Sequence, residues 1–384
     1  MRSPIVEYYD LETGQLVCVL DNYRELSWSH SVNDVGGYYV GVYGSLPQAS
    51  LIQRNQLVII RRYNGVGWYQ EWVGLQLQFD YTRFSNGNTQ IIFSGDDLNG
   101  LLKRRIVDYP KETIYSSKSG LAQDVMIAYA LENIGNGANN EARRSGSGSM
   151  GHYLVAGING TGGGATWTGD RSGQVLLNVL QDLAKFSEQH NLPTDFCTVY
   201  SNGAIILQVY NGRYGTNRAA YQVDTTTGLN IAGKVPVMLQ TDLNNMDELR
   251  GKSGGPESNV IVVMGETDEG VQQYEVVKDE SRIDSQGINR WEKEVSAGSD
   301  SLDTYTPVGY EWLHDYRVAD SVVATYRPAY TARYGIDWLA GDLITVIDWQ
   351  DRSRHKRVKV ATVTITGEGE EKLEITFDEK NYYA

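Results

Sequence analysis

From Ile5 to Val107 apolar and polar residues alternate in short runs broken by turn formers, the period-two signature of half-buried strands. Leu57-Val58-Ile59-Ile60 runs through Arg61, Arg62 and Tyr63 to Asn64-Gly65, and a second Asn-Gly, Asn86-Gly87, separates Gln76-Leu77-Gln78-Phe79 from Thr89-Gln90-Ile91-Ile92-Phe93. Asn-Gly suits the left-handed turn of a hairpin, so residues 1–108 are predicted to form an antiparallel sheet or small barrel. After Pro110 the period lengthens. Ser119 is placed to cap a helix carrying Leu121, Val125, Ala128 and Tyr129, and a clearer apolar stripe, Val175, Leu176, Val179, Leu180, Leu183 and Phe186, ends near Asn191 and Pro193. Between them the tract 135–173, with Arg143-Arg144-Ser145-Gly146-Ser147-Gly148-Ser149 and Gly162-Gly163-Gly164, has no core-forming pattern and is predicted to be an exposed loop. Val199 to Leu207 holds another Asn-Gly pair, Asn202-Gly203. Residues 109–234 therefore read as a mixed α+β domain.

From about Val235 the short strands return, and residues 235–384 repeat the logic of the opening. Leu343 to Val346 resembles Leu57 to Ile60, and Leu373-Glu374-Ile375-Thr376-Phe377 resembles Gln90 to Phe93, at offsets of 286 and 284 residues. That agreement predicts two related modules in one chain. The fold class that follows is mainly β with an α+β middle: two barrel-like antiparallel domains flanking a mixed domain with two helices.

Composition agrees with this pattern and adds a charge. The 384 residues include 41 Gly, 26 Tyr and 8 Trp against 6 Phe, a bias toward turns and amphipathic aromatics. The net charge of −14 disfavours tight binding to nucleic-acid phosphates. Much of it lies in an acidic insertion, 265–303, where eleven acidic residues face four basic ones for a net of −7. Such a segment reads first as a solvated face, and more sharply as a wall that repels DNA. The longest apolar run, Val260 to Met264, is far short of a membrane span, and the opening residues lack an apolar signal core. Cys18 and Cys197 are too few for a disulfide framework and are expected in the core of a protein made in a reducing compartment.

The motifs offer little chemistry. Gly146-Ser147-Gly148-Ser149-Met150-Gly151 spells a dinucleotide fingerprint but lacks a buried strand before it and a helix after it. Gly251-Lys252-Ser253 ends like a phosphate loop, yet Met246 stands where the first glycine belongs. His30, His152, His190, His314 and His355 show no ligand spacing. His314-Asp315 is the best acid/base pair on paper and lacks a nucleophile. Glu7, Asp10, Asp96 and Asp97 are the carboxylates a glycosidase would draw on, with Asp96-Asp97 better read as charge at a helix start. Trp68, Tyr69 and Trp72 suit a cross-strand ladder or subunit contact before a sugar platform. No catalytic, cofactor or metal residue is assigned.

Four segments carry a resemblance: Trp28 to Val40, with Asn33-Asp34 and Gly36-Gly37; Ser94-Gly95-Asp96-Asp97-Leu98 on to Arg104-Arg105-Ile106-Val107; Asn259 to Glu266; and Gly341-Asp342-Leu343-Ile344. Together they resemble the tail-tip and baseplate hub proteins of long-tailed phages, a siphophage family similar to the hub of contractile tails. The resemblance implies a non-enzymatic virion protein, made in the host cytoplasm, that forms a homotrimer at the distal end of the tail. It would join the six-fold tube to a three-fold tip and close the DNA channel until ejection. The implied partners are the distal tail protein and tube ring, the tape-measure protein in the lumen, tip or receptor-binding proteins, and DNA passing without sequence-specific binding. The tract 135–173 has no counterpart in that family. The competing expectations are a tail-associated cell-wall hydrolase and a carbohydrate-binding tail protein.

Overall fold

The computed structural model describes residues 3–108, 114–134, 155–160, 162–219, 236–254, 257–268, 271–297, 305–317, 320–327 and 332–378. The Gly146 to Gly151 motif, Arg143-Arg144 and His152 lie outside them, as do Glu269 and residues 298–303 of the acidic insertion. The first part of the chain gives strands β1 (Ile5–Tyr9), β2 (Leu16–Leu20), β3 (Glu25–Ser31), β4 (Gly37–Tyr43), β5 (Leu57–Tyr63), β6 (Trp68–Arg83) and β7 (Thr89–Asp97), then a short helix α1 (Gly100–Lys103). The middle gives β8 (Ser116–Leu121), α2 (Ala122–Asn133), β9 (Val155–Asn159), β10 (Thr166–Arg171), α3 (Leu176–Gln189), β11 (Thr194–Ser201) and β12 (Ala204–Asn211). The last part gives β13 (Met238–Leu239), β14 (Met246–Ser253), β15 (Val260–Asp268), β16 (Val271–Lys278), β17 (Glu292–Ser296), α4 (Tyr305–Asp315), β18 (Asp320–Tyr326), β19 (Leu343–Ile347), β20 (Ser353–Thr366) and β21 (Glu371–Phe377). The molecule is mainly β with a helical minority, as its patterning predicts.

The principal sheet has thirteen strands, in the order β14-β18-β21-β20-β3-β4-β7-β6-β5-β1-β2, with β19 and β13 branching from β20. It runs through both terminal segments. Residues 1–108 and 235–384, which the sequence separates, are hydrogen-bonded to each other where β20 pairs antiparallel with β3, Val363 opposite Trp28. The physical reason is one shared core. Trp28, Val40, Ile60 and Trp72 pack in the same cluster as Trp338, Ile344, Val363 and Ile375.

Strand β5 explains its own sequence. Val58 and Ile60 face that core, while Leu57 and Ile59 face a second cluster built with α2 and α3, so both faces are buried and the run is continuously apolar. Helix α3 follows its predicted stripe. Helix α2 begins at Ala122 with Leu121 as its cap, and Ser119 belongs to β8, where its Oγ lies 2.7 Å from Thr168 Oγ1. Ser119 is therefore not the helix cap, because β8 pairs with β10 through to Leu121.

The expected loop over 135–173 also needs correction where it is described. Residues 155–159 form β9 and 166–171 form β10. Trp167 is buried in the second cluster, edge-on to Tyr129 at 6.3 Å. Gly163 and Gly164 permit close approach: a Cβ on Gly164 would lie 2.5 Å from Thr194 Oγ1 and 2.6 Å from Ser187 Oγ, at φ +85°. Glycines here serve packing as well as turning.

The three-stranded sheet β16-β15-β17, with α4 across one face, forms a satellite core of Ile261, Val263, Val277, Val295, Tyr305 and Leu313. It is inserted between β14 and β18, which pair with each other in the principal sheet.

Candidate functional site

Three of the four segments that carry the family resemblance meet in space, while Asn259 to Glu266 lies in the satellite sheet of β15. Asn33 sits at φ +57°, a left-handed conformation that asparagine tolerates, and reaches β11 with both ends of its amide. Its Nδ2 donates to Asp195 Oδ1 at 2.7 Å, and its Oδ1 accepts from Phe196 N at 2.8 Å. Asn99 bridges the same turn to β11, donating to Asp34 O at 2.7 Å and accepting from Thr198 N at 2.8 Å. Asp97 accepts from Gly36 N at 2.8 Å and Asn99 N at 3.0 Å. A Cβ on Gly36 would lie 2.1 Å from Ser29 O, so glycine alone lets this turn close. Asp195 extends the network to the last segment: it accepts from Tyr214 N at 2.5 Å and from the guanidinium of Arg357. Arg357 also donates to Gly341 O at 3.1 Å and Tyr214 O at 2.9 Å, and both charged side chains are buried. One polar network thus ties the first, middle and last segments.

Beside this junction lies a cavity of about 270 Å3 whose lining includes His30, Glu71, Asp97, Cys197 and Tyr214. Burial governs its titratable groups. It pushes His30, whose Nδ1 is 2.9 Å from Tyr334 Oη, down to about 4. It pushes Glu71 up to about 7, against the pull of Arg62 at 3.1 Å, and Asp97 up to about 8, against its backbone N–H donors. The Cys197 thiol rises to about 11 for the same reason, so it is poorly nucleophilic. Cys18 is buried as expected, whereas Cys197 is only partly so. Among the described residues no three His, Cys, Asp or Glu side chains gather as a metal-binding group. Burial thus biases the cavity's carboxyl, imidazole and thiol groups toward their neutral forms, and the thiol is not activated.

The residues singled out in the sequence are dispersed among structural roles. Glu7 pairs with Arg61 at 2.7 Å. Asp10 accepts from Glu12 N at 3.0 Å and Thr13 N at 2.8 Å in a turn. Asp96 faces Lys103 at 3.4 Å. His314 Nδ1 does lie 3.4 Å from Asp315, but Asp315 is engaged by Lys185 at 2.7 Å and Gln189 at 3.2 Å, which tether α4 to α3. Burial raises the Asp315 carboxyl, but the hydrogen bond and charge of Lys185 together with the hydrogen bonds from His314 and Gln189 outweigh it and hold the carboxyl below its ordinary value. Trp72 is 1% exposed, its Nε1 donating to Ser29 O at 3.0 Å, while Trp68 packs edge-on to Tyr63 across the β5–β6 hairpin. The three aromatics do not form a stacking platform. Asn33 and Asn99 stand in the sequence only as parts of the resembling segments, and nothing there marks Asp195 or Arg357, because their separation along the chain hides the contact.

The surface points to assembly. Strand β6 continues past the sheet core as an arm with β7, where Phe79 is 60% and Tyr81 70% exposed. Among the described residues, β2 and β14 end the principal sheet, each paired along one side alone. No helix is long and apolar enough to cross a membrane among the described residues.

Comparison with known proteins agrees with this picture. None of the curated protein sequences is a significant match. The fold is similar to that of a tail protein from Neisseria meningitidis MC58, at 12% identity, TM-score 0.59, covering 98% of this chain and 97% of that one. It is also similar to the 43 kDa tail protein of prophage MuSo2 from Shewanella oneidensis, at 11% identity, TM-score 0.58, with 98% and 97% covered. Prophage tail protein gp18 from Listeria monocytogenes EGD-e aligns at 10% identity, TM-score 0.53, with 98% and 95% covered. The sequence profile of the Siphovirus ReqiPepy6 Gp37-like proteins matches residues 6–377. With nearly all of its length matched, the chain belongs to the Siphovirus ReqiPepy6 Gp37-like family of phage tail proteins.

Proposed function

We propose that this tail protein is the non-enzymatic hub at the distal tail end, a homotrimer that joins the six-fold tube to a three-fold tip and closes the DNA channel until ejection. The observation that supports it is an internal duplication of topology. The strand order β3-β4-β7-β6-β5 in the first half is matched by β14-β18-β21-β20-β19 in the second. Three chains with two similar halves offer six similar surfaces, the number a six-fold ring presents, and cyclic assemblies close without leaving edges. The distal tail protein and tube ring are the partners on that side, tip or receptor-binding proteins on the other, and the tape-measure protein is the lumen guest. The acidic module carried between β14 and β18 faces the DNA path and keeps phosphates from sticking.

The dispersed carboxylates favour the scaffold over a hydrolase. A zymogram of the purified chain on host cell wall tests this. The expected result is no clearing; clearing abolished by one carboxylate substitution contradicts it.

A further inference from the structure

The two halves match in finer detail than strand order. In the second half β20 pairs with β21 with a break in register between Val358 and Val360; in the first, β6 pairs with β7 with the same break between Gln76 and Gln78. Aligning the two breaks makes Ala361 equivalent to Phe79, Thr362 to Asp80, Val363 to Tyr81 and Thr364 to Thr82. The neighbouring hairpins align likewise through β21 and β7: Ser29 in β3 is equivalent to Lys252 in β14, Trp28 to Gly251 and Ser27 to Arg250.

Within the chain the second half is joined to the first by β20 against β3, with Thr362 opposite Ser29 and Val363 opposite Trp28. The equivalent strands at the other joint are β6 and β14, and these do not meet. Among the described residues, Phe79 to Arg83 are paired by β7 along one side alone, and β14 by β18 alone. We infer that the C-terminal half of β6 in one copy pairs antiparallel with β14 of a second copy, in the register of the β20–β3 joint. This inference rests on the homotrimeric reading and names its contact.

The side chains agree with the transferred register. Asp80 falls opposite Lys252, an opposite-charge cross-strand pair. Tyr81 falls opposite Gly251, where nothing lies within 4 Å of a Cβ, so the exposed ring has a place to lie over bare backbone. The bulk is exchanged between strands relative to the internal joint, where Trp28 is the large member and Val363 the smaller. Thr82 falls opposite Arg250, and Arg83 opposite Leu249 beside Glu248. The Gly251-Lys252-Ser253 triplet, which fails as a phosphate loop, has this role on the sheet edge.

The test uses the full chain carrying Asp80→Cys and Lys252→Cys together, with each single substitution as control against Cys18 and Cys197. Directly opposite residues have Cβ atoms about 4.5–5.5 Å apart, close enough for a disulfide after small adjustment. The expected result is covalent dimers and trimers under mild oxidation in the double variant, absent in the singles. A parallel set, Asp80→Lys, Lys252→Asp and both, should weaken self-association about tenfold or more in the singles and restore it in the pair. A trimer that forms without cross-linking and ignores charge reversal overturns this joint and leaves the hub reading standing. A chain that stays monomeric and uncross-linked at every concentration overturns both.

Discussion

At the scale of single residues the molecule is held by polar groups that its packing has buried. Asp195 and Arg357 form an ion pair that is almost fully withdrawn from water and is satisfied further by Tyr214 and Gly341. Such a pair adds little net stability, but removing one member strands a charge. Arg357→Ala should lower unfolding free energy by about 3–5 kcal/mol, read from denaturant midpoints, while Asp195→Asn with Arg357→Met together should cost clearly less than the single change. His30 gives the chain an acid limit. Its folded value of about 4 lies below the ordinary 6.5, so the unfolded chain binds the proton first and stability falls as pH drops from about 6.5 to 4. Glu71 acts in the opposite direction, since its folded value of about 7 lies above 4.5 and its burial costs stability as pH rises through that window. His30→Gln, which keeps a hydrogen-bonding partner for Tyr334, should flatten the acid limb of a melting-temperature profile. Neither group was visible as buried in the sequence, because His30 alternates with polar neighbours on a strand whose partner, β20, lies more than 300 residues away.

At the scale of elements, legibility followed locality. The Asn202-Gly203 turn is a two-residue hairpin between Ser201 and Ala204, with both residues at positive φ, and could be read directly from its dipeptide. Helix α3 could be read from its one-sided stripe. Helix α2 was less clear because Gln123 and Asn133 are buried beside its apolar residues, each held by a hydrogen bond to backbone: Gln123 to Val209 O at 2.7 Å and Asn133 to Tyr129 O at 2.8 Å. Strand β10 was hidden by Gly169 within it and the glycines that flank it, and α4 by its acidic residues and the Pro307 within it. The module carried by β14 and β18 has its own core, so it should be separable. Replacing residues 254–319 by a short turn should leave the principal sheet folded, with a strand-type circular dichroism spectrum and a single cooperative melt, because β14 and β18 already form a hairpin and a loop's length adds only slowly to its closure entropy. Loss of all cooperative unfolding would show the module to be integral.

At the scale of the whole molecule, one chain contains two versions of the same strand arrangement, joined edge to edge at β20 and β3, while among the described residues the equivalent strands β6 and β14 are not paired with each other. The sequence hinted at this through the offsets of 286 and 284 residues, and its family resemblance lay in the turns at Asn33 to Gly37 and Gly95 to Asn99, which the fold places against each other. A joint between strands so distant could not be read from periodicity, which reports the faces of strands and not their neighbours. The chain is proposed to work as a closed ring of three. The most direct measurement is the native mass of the purified full chain across the attainable concentration range, by sedimentation equilibrium. A closed ring of three gives a species of three times 42.8 kDa that grows with concentration at the expense of monomer; a monomer throughout, or a dimer that saturates, is incompatible with such a ring.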